Sequence, residues 1–384
     1  LTQPTYFVSK VRQKGEKMEY RKLPHGDEQI SVLGIGMGGG LHKASPKEIE
    51  NVIEKAIDNG INYFDLCASG NQIFEPFGKA IKGQRDKIVC QMHFGAAFNE
   101  KGEYAWTRNL EEIKRMTDWE FRALGMDYAD MGFLHCVAAI SDYEALVSGG
   151  VLDYIQELKS QGVVRHIGFS SHTPSVAQHI LDTGLIDMMM FSINAAYDYE
   201  QGDEYGIGSV SERAALFRRC EKEGVGISVM KPFHGGQLLD AKTSPFKTAL
   251  TRYQCLQYVL DRPGVLTTVP GVRNMEDLEA LLGFSQAPRE EKDYSVIATF
   301  TAEKIAGNCV YCNHCQPCPM GIQVGLVNKY YDLAKVGDQL AADHYKKLDV
   351  KASACVQCGH CDDRCPFGVA QSQRMKEIEE YFGC

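Results

Sequence analysis

Through its first three hundred residues the chain alternates short apolar runs with stretches patterned at helical spacing, and that alternation leaves few folds open. Apolar runs at 32–35, 62–65, 88–91, 131–134, 164–168, 188–191, 226–230 and 267–269 each read as a buried strand. Helical patterns come after them at 46–59, 73–81, 108–124, 152–161, 174–182, 210–223, 245–260 and 275–282. The first helix shows the local chemistry. Ser45-Pro46-x-Glu48 is a capping box with Pro at the first helical position, Ile49, Val52, Ile53, Ala56 and Ile57 share one face, and Gly60 ends the pattern. Eight strands, each with its helix, predict an α/β fold of the (β/α)8 TIM-barrel type, with chemistry at the C-terminal ends of the strands. A doubly wound open sheet is the alternative. It calls for G-x-G-x-x-G opening a helix directly after the first strand, whereas Gly34, Gly36, Gly38, Gly39 and Gly40 lie well before the helix that starts at Pro46.

With 384 residues the chain exceeds one small core. We expect three segments: an extension at 1–17, the barrel at 18–300 and a small accessory domain at 301–384. The net charge of −9 and the lack of a basic block argue against nucleic-acid binding. No stretch has the length of a membrane span, and the opening residues, with Lys10, Arg12, Lys14 and Lys17, lack the apolar core of a signal peptide. A cytoplasmic location is expected, in which fourteen cysteines point to metal or redox work rather than disulfides.

Eight of those cysteines form two runs, Cys309-x2-Cys312-x2-Cys315-x2-Cys318-Pro319 and Cys355-x2-Cys358-x2-Cys361-x3-Cys365-Pro366. The second matches the bacterial ferredoxin pattern in full, and the first is one residue short before its last Cys. In two-cluster ferredoxins the fourth Cys of each run serves the other cluster. The resemblance therefore implies two 4Fe-4S clusters, one on Cys309, Cys312, Cys315 and Cys365 and one on Cys355, Cys358, Cys361 and Cys318. A pair of zinc knuckles is the competing use of C-x2-C pairs. Between the runs, 324–348 is patterned as a helical insert interrupted by Gly337.

Seven short motifs, in order, resemble the aldo-keto reductases: Glu19-Tyr20-Arg21-Lys22-Leu23, Val32-Leu33-Gly34-Ile35-Gly36, Tyr63-Phe64-Asp65, Phe133-Leu134-His135, Val164 through Ser170, Met230-Lys231-Pro232 and Val269-Pro270-Gly271. The resemblance runs from Met18 to the C-terminus, because one branch of that superfamily carries a ferredoxin-like tail. It implies hydride transfer from NADPH to a carbonyl by a tetrad of Asp, Tyr, Lys and His, in which the Tyr hydroxyl protonates the developing alkoxide. Here the resemblance places Asp65 and His135 at two tetrad positions, but Gly70 at that of the Tyr and His93 at that of the Lys. A Gly supplies no proton, and His is a weaker cation than Lys at neutral pH. We expect Asp65 to accept a hydrogen bond from His93 and one of the two histidines to act as general acid or base. A metal ion held by Asp65, Cys67, His93 and His135 is a weaker alternative. Cys67, Cys90 and Cys136 read equally well as small buried residues.

For the nicotinamide, NADP(H) or NAD(H), the resemblance implies Ser170, Ser171, Asn194, Lys231, Pro232, Gly235, Gly236, Gly271 and Arg273, with Arg273 as a candidate for the 2′-phosphate. Ser171 stands where many relatives have Asn, and Glu279-Ala280 replaces the usual Glu-Asn. Three functions are open to such a chain. The first is an iron–sulfur oxidoreductase acting on a small carbonyl- or hydroxyl-bearing substrate, its clusters exchanging single electrons with a ferredoxin- or flavodoxin-type partner. The second is an NAD(P)H-dependent reductase with structural or sensing clusters. The third is a lyase, epimerase or dehydratase that moves protons with Asp65, His93 and His135.

Overall fold

The structure, a computed structural model, describes residues 18–199, 206–299, 309, 315–335, 339–365 and 368–384. Residues 1–17, the expected boundary at 300–301 and Cys312 lie outside the described residues.

A short antiparallel hairpin, β1 (Tyr20–Lys22) and β2 (Gln29–Ser31), precedes the barrel. The remaining strands are β3 (Gly34–Gly36), β4 (Tyr63–Asp65), β5 (Val89–Phe94), β6 (Ala96–Phe98), β7 (Tyr104–Trp106) and β8 (Ala129–Leu134). They continue with β9 (Val164–Ser171), β10 (Met188–Ser192), β11 (Gly226–Met230) and β12 (Val265–Thr268). Eight of them pair in parallel in the order β3, β4, β5, β8, β9, β10, β11, β12. Bridges from Leu33 to Thr268 and from Gly36 to Gly271 join the two ends, with Thr268 N donating to Val32 O at 3.0 Å and Gly36 N to Pro270 O at 3.0 Å. The expected eightfold α/β barrel is therefore the observed fold.

All eight strands lie where the apolar runs put them, because strands buried on both faces are continuously apolar. Tyr63, Val89, Met131, Phe133, Met188, Met190 and Leu266 fill the barrel interior, and a larger core lies between the strands and the outer helices. The first helix, Pro46–Asp58, is capped as its sequence requires: Ser45 Oγ accepts from Glu48 N.

Three differences from the expected pattern shape the barrel's loops. The helix expected over 245–260 begins only at Arg252, where Thr251 and Gln254 form a capping box; before it Leu250 N donates to Leu238 O, twelve residues earlier. An unexpected helix, Ile140–Ser148, comes after β8. The third is the β6–β7 hairpin, read from the sequence only as the loop between the third barrel strand and its helix, and it stands at the barrel mouth.

The tail has its own apolar core, including Ile322, Val327, Tyr330, Tyr345, Met375 and Ile378. The predicted insert is two helices, Val324–Lys335 and Gln339–Lys346. The first reaches the barrel, where buried Lys329 Nζ donates to Tyr197 OH at 3.3 Å. No described helix is long and apolar enough to cross a membrane.

Candidate active site

Parallel pairing of β4, β5 and β8 carries Asp65, His93 and His135 to adjoining strand ends, and all three are buried. His93 Nε2 lies 2.8 Å from Asp65 Oδ1, and His93 Nδ1 lies 3.0 Å from His135 Nδ1. Gln91, one turn of the pleat below His93, reinforces the pair: its Nε2 donates to Asp65 Oδ1 at 3.0 Å, while Tyr63 OH donates to its Oε1. Asp65 is thus fixed from inside the barrel.

The far nitrogen of His135 has a partner that sequence reasoning missed. Tyr104 OH lies 2.5 Å from His135 Nε2. Tyr104 opens β7, and the hairpin that carries it is built from local signals. Asn99 Oδ1 accepts from the backbone of Lys101 and Glu103, and Gly102 takes a positive φ of 77°. Runs of Ala96-Ala97-Phe98 and Tyr104-Ala105-Trp106 around a turn containing Gly are the signal that would have found it.

The hairpin lies against the segment that lacks the tetrad Tyr. Asn71 N donates to Gly102 O at 2.9 Å, Tyr104 N to Ser69 O at 3.3 Å, and Gly70 bridges Glu103 in antiparallel fashion. A Cβ on Gly70 would lie 2.9 Å from the His42 ring and press on the Gln72 amide. Gly70 is the residue that lets this loop pack against the His42 segment.

Electrostatically the site favours neutral groups. Burial, then the neighbouring His93 and Arg108, holds His135 well below the usual imidazole range. Burial raises the Tyr104 phenol above its ordinary range, and burial together with the nearby Asp65 does the same to the Cys67 thiol. Arg108 fixes the His135 segment from outside, donating to His135 O and Cys136 O at 2.8 Å each. The Cys67 thiol and one nitrogen from each histidine lie within 4.8 Å of one another, but the ring nitrogens face one another, Asp65 and Tyr104.

The residues expected to hold a nicotinamide lie at the end of β9 and in the loops after β10 to β12. Ser170 Oγ accepts from Cys136 N at 2.7 Å, Ser171 Oγ donates to Val137 O at 2.6 Å, and Asn194 ties Lys231 O to Tyr197 N. Lys231, Gly235 and Gly236 take positive φ in the turn around Pro232. Arg273 grips Asp277 with Nε at 2.6 Å and an NH2 at 2.9 Å. Gly271 touches Gly39, since a Cβ on it would lie 2.5 Å from Gly39 Cα. Close backbone approach between two loops therefore explains glycines that superficially suggest a dinucleotide fingerprint. Beside them a shallow pocket is lined by Phe233, Arg252, Pro270, Gly271, Val272 and Asp277.

In the tail, Cys318, Cys355, Cys358 and Cys361 line one open pocket walled by Ile322, Val324, Val356 and Met375. These are the four assigned by resemblance to one cluster, drawn from both runs. Burial, then Asp362 and the neighbouring cysteines, pushes the Cys361 thiol up to about 11. The donor set fits an iron–sulfur cluster. Of the other set, Val369 N donates to Cys365 Sγ at 3.4 Å.

Residues 32–254 match the description of the aldo/keto reductase family. The chain belongs to that family. Residues 305–369 match a 4Fe-4S dicluster domain, so this aldo/keto reductase is an oxidoreductase with an iron–sulfur tail. It is 24% identical over 314 residues to an uncharacterized oxidoreductase, YqkF, of Bacillus subtilis, covering 75% of this chain and 98% of that protein. Over 182 residues it is 24% identical to the chloroplastic pyridoxal reductase of Arabidopsis thaliana, covering 42% and 47% of the two. The holo form of aldo-keto reductase AKR11C1 from Bacillus halodurans superposes with a TM-score of 0.58 at 23% identity, over 74% of this chain and 96% of that one. An aldo/keto reductase from Klebsiella pneumoniae, solved with NADP and acetate, superposes with a TM-score of 0.51 at 19% identity, over 71% and 92%.

Proposed function

We propose that this aldo/keto reductase interconverts a small carbonyl compound and its alcohol at the barrel mouth, with a nicotinamide nucleotide as hydride carrier. The observation that carries the reading is the buried contact chain from Asp65 through His93 to His135 at the C-terminal ends of β4, β5 and β8. A carbonyl reduction needs a proton at oxygen as hydride reaches carbon, and this chain holds protons at defined atoms. When bound, the nicotinamide supplies the hydride. To the phosphate end of such a nucleotide we assign Arg252 and Arg273, the cations gathered around Asp277 near Gly271. Ser170, Ser171 and Asn194 shape the floor through bonds they make within the protein, so their part is to hold the loops rather than to wait unpaired for a ligand.

In the tail we assign two 4Fe-4S clusters, one to Cys309, Cys312, Cys315 and Cys365 and one to Cys355, Cys358, Cys361 and Cys318. Their role in this reading is to exchange single electrons with a ferredoxin- or flavodoxin-type partner. Lys329 meets Tyr197, whose backbone is bonded to Asn194, and Asn194 in turn bonds Lys231 at the end of β11. The tail is thereby joined to the loops of the barrel mouth.

The test uses anaerobically prepared holoprotein. NADPH should quench protein fluorescence saturably, iron analysis should give roughly eight atoms per chain, and dithionite-reduced clusters should be reoxidised by an electron-accepting ferredoxin or flavodoxin. No response to either NADPH or NADH would remove the nicotinamide from the reading. Roughly four irons would remove one cluster, and clusters that stay reduced would assign them a structural role.

A further inference from the structure

We propose that Tyr104, carried to the barrel mouth by the β6–β7 hairpin, exchanges the proton with the substrate oxygen, and that His135, His93 and Asp65 set the direction of its hydroxyl hydrogen. The proposal rests on the carbonyl–alcohol reading and names the residue that completes it.

Three observations support it. The hairpin is bonded to the loop on which Gly70 stands where a tetrad Tyr is expected, so its phenol reaches the histidines from the segment next to that loop. Of the four linked residues, Asp65, His93 and His135 are 6%, 5% and 4% exposed, whereas Tyr104 alone is only half-buried. It is the least buried member of the chain. Finally, the contacts from Asp65 outward, at 2.8, 3.0 and 2.5 Å, are all within hydrogen-bonding distance and run without a break.

The polarity of that chain is decided by one proton. A carboxylate only accepts, so the hydrogen between Asp65 and His93 sits on His93 Nε2. With His93 neutral, its Nδ1 accepts from His135 Nδ1, and His135 Nε2 accepts the Tyr104 hydroxyl hydrogen. One more proton on His93 reverses both outer bonds. His93 Nδ1 then donates to His135 Nδ1, His135 Nε2 donates to Tyr104 Oη, and the phenol hydrogen is turned toward the mouth. In this state an imidazolium beside Asp65 stands in for the cation that a Lys would provide, while His135 stays neutral throughout.

Atoms and electrons balance in the reduction. The carbonyl carbon accepts a hydride from a reduced nicotinamide, its π electrons move to oxygen, and that oxygen takes the Tyr104 proton. Tyr104 Oη takes the hydrogen of His135 Nε2, and His135 Nδ1 takes that of His93 Nδ1. One proton and one hydride are consumed, the nicotinamide leaves oxidised, and His93 is left neutral, its Nε2 hydrogen still donated to Asp65 Oδ1. Alcohol oxidation runs the same steps backwards.

The experiment compares wild type, Tyr104→Phe and Lys101→Ala holoprotein, with NADPH and 4-nitrobenzaldehyde as probes. Lys101 is an exposed residue at the hairpin tip and controls for disturbance of the hairpin. Tyr104→Phe should lower kcat at least about 100-fold with the KM for NADPH within about twofold, and Lys101→Ala should match wild type. Nitrogen-15 NMR of the His135 ring, recorded without nucleotide, should show an Nε2 shift in Tyr104→Phe and none in Lys101→Ala. If wild type turns over and Tyr104→Phe equals it, or if the His135 resonance does not respond to loss of the phenol, the proposal is wrong and the carbonyl–alcohol reading stands. If wild type neither binds NADPH nor reduces the aldehyde, that reading fails and takes the proposal with it.

Discussion

The two ends of the barrel use the same side chains in opposite ways. At the N-terminal end, Asp187 is met by Lys159 Nζ at 2.8 Å, His166 Nδ1 at 3.4 Å and Ile167 N at 3.1 Å, while His166 Nε2 faces Glu28 at 3.1 Å. Asp130 is held between Arg85 at 2.7 Å and Arg165 at 3.1 Å, and both guanidiniums stack on Tyr128. Burial alone would raise Asp187 and lower His166. Their mutual hydrogen bonds outweigh it, holding Asp187 at about 2 and raising His166. At the C-terminal end, burial wins, and His135, Tyr104 and Cys67 are all pushed toward their neutral forms. Fixed charges suit the end that holds the barrel together, and neutral groups linked by single hydrogens suit the end where protons have to move.

The comparison breaks most readily at Asp65. Asp65→Asn should lower kcat about 1,000-fold with the melting temperature changed by only a few degrees, because an amide can donate to His93 Nε2 and so reverses the chain's polarity at its root. Steady-state rates and a thermal melt on the same preparation check it, and an active Asp65→Asn protein would mean that the mouth is merely well packed. Asp130→Ala should do the converse. It leaves Arg85 and Arg165 facing each other without their carboxylate, costing about 3 kcal/mol of stability and leaving kcat unchanged, as a urea midpoint and a rate measurement would show.

The same contrast explains what could be read from the sequence. The strands were legible because burial on both faces writes itself as uninterrupted apolar residues, and Ser45, Pro46 and Glu48 announce a helix start within four positions. The helix at 245–260 was read too long, since Pro245 and Leu250 look periodic, but a contact with distant Leu238 shapes the turn before Thr251. Asp65, His93 and His135 could be placed because the family resemblance puts them at or just beyond strand ends, and parallel pairing brings those ends together. Tyr104 could not. It lies 31 residues from His135 on a hairpin whose docking is set by Asn71, Gly102 and Ser69, and such contacts leave no local period. Gly70 accordingly read as a loss, whereas in the fold a side chain there would collide with the His42 ring. The tail was legible for the opposite reason: its chemistry is declared by spacing alone, and Cys318 joins Cys355, Cys358 and Cys361 around one cavity across the intervening helices.

A gentler test of the comparison is pH, and its sign can be fixed in advance. Asp187 has its pKa lowered on folding, from 3.8 to about 2, so the stability it contributes is present above pH 4 and is lost as pH falls toward 2. His166 has its pKa raised above 6.5, so its contribution is complete below that pH and is lost as pH rises through the folded value. Together they make the N-terminal end strongest between about pH 4 and pH 6.5. Removing the shared carboxylate with Asp187→Asn should cost about 2 kcal/mol inside that window and progressively less on either side, giving a bell-shaped difference in melting temperature between wild type and variant. The converse experiment at the mouth, His135→Asn, should show no such bell. A buried neutral imidazole opposes folding where it would be charged in the unfolded chain, so wild type should lose stability relative to the variant only as pH falls below 6.5. Two histidines in one barrel, separated by the length of a strand, would then give stability profiles of opposite slope below neutrality. A flat difference for Asp187→Asn would mean that its contacts are screened by water, and that the division of labour between the two ends is not electrostatic.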